Sequence, residues 1–189
     1  LEGGEPAKET AEKRESGFGA TPPAEAHYVD GADCRQLVGS LKQVATLPLD
    51  GWLFKADPKR VGVEQGYFKP SYPTKDFARI RVDAFWDDQG YKGLAAGWYR
   101  LAYQCPDLPA GKRVYLHFES VDETACLYID GKRVAWYDTA HPNLTWKSPF
   151  LLDVTGSLNS GGTHLLAIRV GNESGLGGIY RPVSVMVEK

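Results

Sequence analysis

The clearest pattern of apolar and polar positions lies between Lys112 and Tyr137. Val114, Leu116 and Phe118 alternate with Tyr115, His117 and Glu119, a period of two that gives a strand one apolar and one polar face. After a polar break at Asp122-Glu123-Thr124, Ala125, Leu127 and Ile129 alternate with Cys126 and Tyr128. Asp130-Gly131 follows, a dipeptide that accepts positive φ in a two-residue hairpin turn, and Val134 to Tyr137 completes a third strand. Three antiparallel strands with one apolar face need a second sheet to cover it, so the predicted core is a β-sandwich.

Shorter alternating runs add strands at Leu47–Phe54, Phe77–Val82, Gly97–Tyr103, Phe150–Val154, His164–Val170 and Pro182–Val187. Between them, Asp57 to Thr74 is broken by Gly62, Gly66, Pro70 and Pro73 and reads as a loop. Phe85 to Tyr91 is aromatic but too interrupted for a strand. His141 to Pro149 is a long loop holding Trp146, and Asn172 to Gly178 is a glycine-rich one. One short helix is expected around Arg35 to Leu41. The fold class is all-β, seven or eight strands at short spacing. Residues 1–26 are rich in Glu, Lys, Gly, Pro and Ala, cannot bury enough surface to offset their ordering entropy, and read as a flexible arm or linker. The sandwich domain is expected over 27–189.

Composition narrows the function. Of 189 residues, 42% are hydrophobic and 12% aromatic, enough for a sizeable core. A net charge of −2 gives no electrostatic case for nucleic acid or an anionic membrane as partner. No window approaches 18 uninterrupted apolar residues, so no spanning helix is expected. Cys34, Cys105 and Cys126 have no metal-ligand spacing, and an odd number cannot all pair internally; Cys126, within a strand, is expected as a small buried hydrophobe. The chain opens on Leu1, which suggests a trimmed start, through signal removal or a cloned fragment. No Gly-x-Ser-x-Gly, His-Glu-x-x-His or Cys-x-x-Cys motif occurs. The acidic groups at Asp87-Asp88, Glu119 and Asp122-Glu123 read as solvated charge at turns and outward strand faces. No catalytic residue and no metal ligand set is therefore assigned.

Several segments taken in order carry a likeness: LPLDGWLFKADP (47–58), the aromatic stretch from Trp86 to Gly90, GWYR (97–100), VYLHFESVDETACLYIDGKRV (114–134), PFLLDVT (149–155), LLAIRV (165–170) and GGIYRPV (177–183). Together they resemble the N-terminal sugar-binding domain of family 2 glycoside hydrolases, the jelly-roll, galactose-binding-like sandwich of β-galactosidases and β-glucuronidases. The resemblance implies a non-catalytic module that contacts carbohydrate and packs with other domains of a glycosidase. The family's catalytic carboxylates lie in a later barrel, which the resemblance places outside this chain. The substrate class implies a secreted or periplasmic protein, and modules of this kind leave room for a structural calcium, for which Asp153 is the candidate ligand.

Sugar binding needs a flat aromatic face for C–H groups and planar polar side chains for hydroxyl pairs. Loop and strand-end positions that meet this demand are Trp86, Tyr91, Trp136, Tyr137, His141, Trp146, Tyr180 and Arg181. Trp52 is expected in the core, and at least one of Trp98 and Tyr99 must face inward. Arg100 and Arg181 are expected to pair with a carboxylate such as Asp153 at one end of the sandwich. Two other functions compete: a structural domain that supports a glycosidase or mediates oligomerisation without holding sugar, and, less favoured, an enzyme using Asp122 or Glu123.

Overall fold

The alternating segments pair as antiparallel ladders. A computed structural model describes residues 28–137 and 146–189; the arm expected over 1–26 and the candidate His141 lie outside the described residues. The strands are β1 (Tyr28–Asp30), β2 (Leu41–Thr46), β3 (Trp52–Ala56), β4 (Ala78–Ile80), β5 (Ala96–Gln104), β6 (Val114–Phe118), β7 (Thr124–Ile129), β8 (Lys132–Tyr137), β9 (Phe150–Asp153), β10 (Thr163–Gly171) and β11 (Val183–Glu188). Two short helices, α1 (Gly31–Ser40) and α2 (Gly62–Gln65), interrupt them. One sheet has the order β1-β9-β6-β11-β2 and the other β4-β3-β5-β10-β7-β8. The all-β sandwich expected from the periodicity is therefore the observed fold.

The register shows why these residues choose strands. Ile168 lies opposite Tyr99 on β5 and Leu127 on β7, and Leu166 lies opposite Leu101 and Ile129. In the facing sheet Leu116 is paired with Leu152 and Val185, and Phe118 with Phe150 and Val183. All these side chains belong to one buried cluster between the sheets. Burying each such aliphatic or aromatic group stabilises the fold by about 1.5–3 kcal/mol. Tyr137 and Phe150 stack at 3.9 Å and Phe150 and Phe118 at 4.9 Å, so a run of rings ties β8 to the opposite sheet. The hairpin turn forms as expected, with Asp130 at φ 52° and Gly131 at φ 82°, the positive pair of a type I′ turn.

The outward faces are covered too, which the alternation did not announce. Cys34, Leu37 and Val38 of α1 lie over Tyr115, Leu151 and Met186. On the six-stranded sheet the segment 57–74, expected as a plain loop, lays Tyr67, Phe68 and Tyr72, with Phe77 just beyond it, over Trp98, Cys126 and Tyr128. Trp98 and Tyr99 are consequently both fully buried, on opposite faces of β5. Cys34, Cys105 and Cys126 are all buried and unpaired. The strand expected over 47–54 is entered through a bend at Leu49–Asp50 and Gly51 at φ 87°, and β3 begins at Trp52.

Candidate functional site

Trp86 organises the rim of the sandwich by being buried. Its ring packs against Phe54 at 5.7 Å, and its backbone N–H donates to the Gly177 carbonyl at 2.9 Å. A side chain at position 177 would bring a Cβ within 2.3 Å of the indole, so glycine there is what allows the ring its seat. Asp87 Oδ2 accepts the Gly177 N–H at 2.8 Å, and Asp83 N–H donates to the Ile179 carbonyl at 3.1 Å. The loop after β4 and the glycine-rich loop before β11 are thereby sewn together.

Trp86 and Ile179 are fully buried in the core, while the half-buried Phe85 and Tyr180, 8% exposed, stack on each other beside them, centroids 4.3 Å apart and planes 18° from parallel. Trp146 leans on the pair, 5.7 Å from Tyr180 and 6.5 Å from Phe85, and is 43% exposed. The Tyr180 hydroxyl donates to the Trp146 carbonyl. These three rings, with Glu119, Ser120, Lys147 and Arg181, line an open cleft of about 520 Å³. Lys147 Nζ lies 4.6 Å above the Trp146 ring, a cation–π distance. Arg181 is exposed, and its guanidinium makes no ion pair or hydrogen bond among the described residues. Burial pushes the Tyr180 phenol above its ordinary value and Asp122 adds to that, against a hydrogen bond with Ser120 and the charge of Arg181.

The candidates named from sequence divide accordingly. Trp146, Tyr180 and Arg181 meet in the cleft. Trp86 and Tyr137 lie in the core with no exposed face on which to stack a sugar, because each fills the space between sheets that its aromatic bulk is suited to fill. Tyr91 is half-buried against Phe54 at 4.6 Å. Trp136 is half-buried beside the aromatic cover of the six-stranded sheet, away from the cleft. Phe85, Glu119, Ser120 and Lys147 went unnamed.

Charged groups also depart from expectation. Among the described residues Arg100 pairs with no carboxylate; it donates to the carbonyls of Tyr72 and Lys69, both at 3.1 Å. Asp153 belongs instead to Arg113, and it accepts the Thr155 N–H at 2.9 Å. Burial raises the Asp153 pKa, but the bonds from Thr155 and Arg113 outweigh that and hold the carboxyl below its usual range. A carboxylate already claimed on both oxygens does not fit a calcium ligand, and among the described residues no group of three or more His, Cys, Asp or Glu is placed to hold a metal. Asp87 and Asp122, expected as solvated charge, are buried, whereas Glu119 is exposed. Burial, with Glu123 and Asp87 nearby, pushes the Asp122 carboxyl up to about 6.

Comparison with known proteins follows the same lines. No protein-family model matches the chain. A curated β-glucuronidase of Formosa agariphila is 33% identical over 89 residues, 47% of this chain and 8% of that protein. A family 2 glycosyl hydrolase from Bacteroides cellulosilyticus superposes with a TM-score of 0.59 at 22% identity, covering 76% of this chain and 20% of that one. β-Glucuronidases from an uncultured Clostridium and from Ruminococcus gnavus each give 0.62, at 22% and 15% identity, over 89% of this chain and 30% of theirs. The resemblance to family 2 glycoside hydrolases read from the sequence is thus borne out in the fold. The chain spans less than a third of each of these relatives.

Proposed function

We propose that this chain, a β-sandwich sharing its fold with part of the family 2 glycosidases, is a non-catalytic module that holds carbohydrate in the cleft formed by Phe85, Trp146 and Tyr180. The single observation that carries the reading is the exposed indole of Trp146 set against a stacked Phe85–Tyr180 pair, with hydrogen-bonding groups at the same mouth. An open aromatic face takes the C–H side of a pyranose, while Arg181, Lys147, Glu119 and Ser120 supply donors and acceptors for its hydroxyls. Hydrolysis needs two carboxyls facing one glycosidic bond; among the described residues Glu119 is the one carboxylate lining this cleft, so the reading assigns it binding and leaves bond cleavage to other parts of the longer enzymes the chain resembles. Affinity electrophoresis of the intact chain through gels cast with β-linked polysaccharides tests it. At least one polysaccharide should retard the chain, and Trp146→Ala should abolish the retardation. A folded chain that migrates freely through every gel would refute the proposal.

The rival reading, a supporting or oligomerising domain, requires an exposed apolar patch. Trp146 and Leu176 are the large apolar side chains exposed among the described residues, at 43% and 48%. The first already belongs to the cleft.

A further inference from the structure

Away from the rim, Lys55 sets a cation inside a box of three rings. It stands on the outward face of β3, opposite Trp98 of β5, and only 19% of its side chain meets solvent. Its Nζ lies 5.0 Å from the centroid of the Tyr67 ring, 5.8 Å from Phe77 and 5.9 Å from Tyr72. The rings also neighbour one another, with centroids 4.9 Å apart for Tyr67 and Tyr72, 6.1 Å for Tyr72 and Phe77, and 6.3 Å for Tyr67 and Phe77. Each ring's quadrupole attracts the ammonium, and the attraction grows as water is excluded. Asp76 lies 3.8 Å from the ammonium but is 50% exposed, so screening leaves that ion pair a small share.

Box and cation come from different layers. All three rings lie on the covering stretch, whose main-chain N–H···O bonds over residues 60–77 return, among the described residues, to carbonyls of that same stretch. Polar ties from its second half to the sheet come from two cations instead. One is Lys55; the other is Arg100 of β5, which donates to the carbonyls of Tyr72 and Lys69 and holds its Cζ 5.3 Å from the Phe77 ring. A layer that bonds its backbone to itself can lift without breaking a ladder of the sandwich. We propose that residues 62–77 form a lid over the outer face of the six-stranded sheet and that the Lys55 ammonium is its latch. The charge of Lys55, rather than its bulk, then sets how often Trp98 and Tyr128 beneath become accessible. The packing of Tyr67 and Phe68 on those two rings persists without the charge, so the latch governs local opening and not whether the molecule folds. The lid is independent of the rim cleft.

Amide hydrogen exchange of the intact chain, followed residue by residue by NMR, tests the latch. Lys55→Met keeps an unbranched apolar stem and removes the charge. The amides of Tyr67, Lys69, Tyr72 and Phe77, each bonded within the lid, should exchange about tenfold faster in that variant, the effect of losing a cation–π interaction at a largely desolvated site. Amides of β7 and β10 in the sheet beneath should keep their wild-type rates. Lys55→Arg, which retains a cation, should leave the lid amides close to wild type, and so should Asp76→Asn. Equal lid rates in Lys55→Met and wild type would make the ammonium mere filler and overturn the latch. Acceleration of lid and sheet amides together would mean that the cover opens only with the whole molecule, and overturns the lid. If Asp76→Asn accelerates the lid as much as Lys55→Met does, the ion pair and not the box holds it, and the proposal fails.

Discussion

Two aromatic clusters of similar make-up meet opposite fates in this molecule. On the outer face of the six-stranded sheet, Tyr67, Phe68, Tyr72 and Phe77 close over Trp98 and Tyr128. At the rim, Phe85 and Tyr180 line an open cleft with Trp146, whose indole is 43% exposed although Tyr180 is nearly buried. The difference lies in where the polar groups find partners. In the closed cluster the Trp98 Nε1–H donates to Asp57 Oδ2 at 2.9 Å, and Asp57 also accepts the N–H groups of Val61 and Gly62. Arg100 Nη1 and Nη2 donate to two carbonyls of the covering segment, although its Nε is left without a partner, and Lys55 Nζ lies 5.0 Å over the Tyr67 ring. A buried aromatic patch is sealed when its polar atoms are paired within the chain. In the open cluster Arg181 has no such partner among the described residues, and a group left in that condition at a cleft is available to a ligand.

The contrast is most sharply broken at Trp98. Trp98→Ala removes the ring against which Tyr67, Phe68 and Tyr128 pack and takes away one of the donors to the buried Asp57 carboxylate. The expected loss is about 3–5 kcal/mol of unfolding free energy, read from guanidinium denaturation. Trp98→Phe should fall between, since it refills most of the volume but still leaves Asp57 short of that donor. If Trp98→Ala costs less than about 1 kcal/mol, the covering segment is not the sealed layer described here.

The middle of the fold was legible because one face of each strand is core and the period of two survives. Leu116, Phe118, Leu127 and Ile129 alternate cleanly, and Asp130-Gly131 fixes the hairpin between β7 and β8. The edges were not legible. β1 has three residues and β2 reads exposed at Lys42, Gln43 and Thr46 with no alternation, so neither offers a periodic signal. The cover over 57–74 was missed for a related reason: its glycines and prolines announce a loop, while its aromatics answer to the outward face of β5 and β7, a relation between distant segments that local pattern does not contain. The same limit applies to the site. Trp86 and Phe85 are chemically similar neighbours, and only the seat provided by Gly177 decides which is core and which is surface.

Beneath the glycine-rich loop the comparison can be sharpened by pH. Asp122 is buried beside Glu123 and Asp87, with its carboxyl raised from 3.8 to about 6. A carboxyl raised on folding binds more protons in the native state, so stability falls as pH rises through the window from about 4 to 6, and the deficit is complete above it. Asp122→Asn removes the charge and keeps the shape. It should stabilise the chain by about 1–3 kcal/mol at pH 7.5, and the gain should disappear at pH 4, both measured by chemical denaturation. A gain of equal size at both values would mean that desolvation of the carboxylate is not its cause.

Trp146→Ala is expected to cost the least stability and to be the most informative about the rim. The indole is 43% exposed, and what Tyr180 bonds to is the residue's backbone carbonyl, which alanine retains. Surface truncations of this kind fall within about 0.5 kcal/mol, so the denaturation midpoint should stay put. Trp98→Ala and Trp146→Ala remove the same side chain, yet the first should unfold the molecule at lower denaturant while the second should change only what the rim retains on a polysaccharide gel. If Trp146→Ala destabilises as strongly as Trp98→Ala, the rim rings are structural cover like those over the six-stranded sheet, and the cleft loses its claim to a ligand.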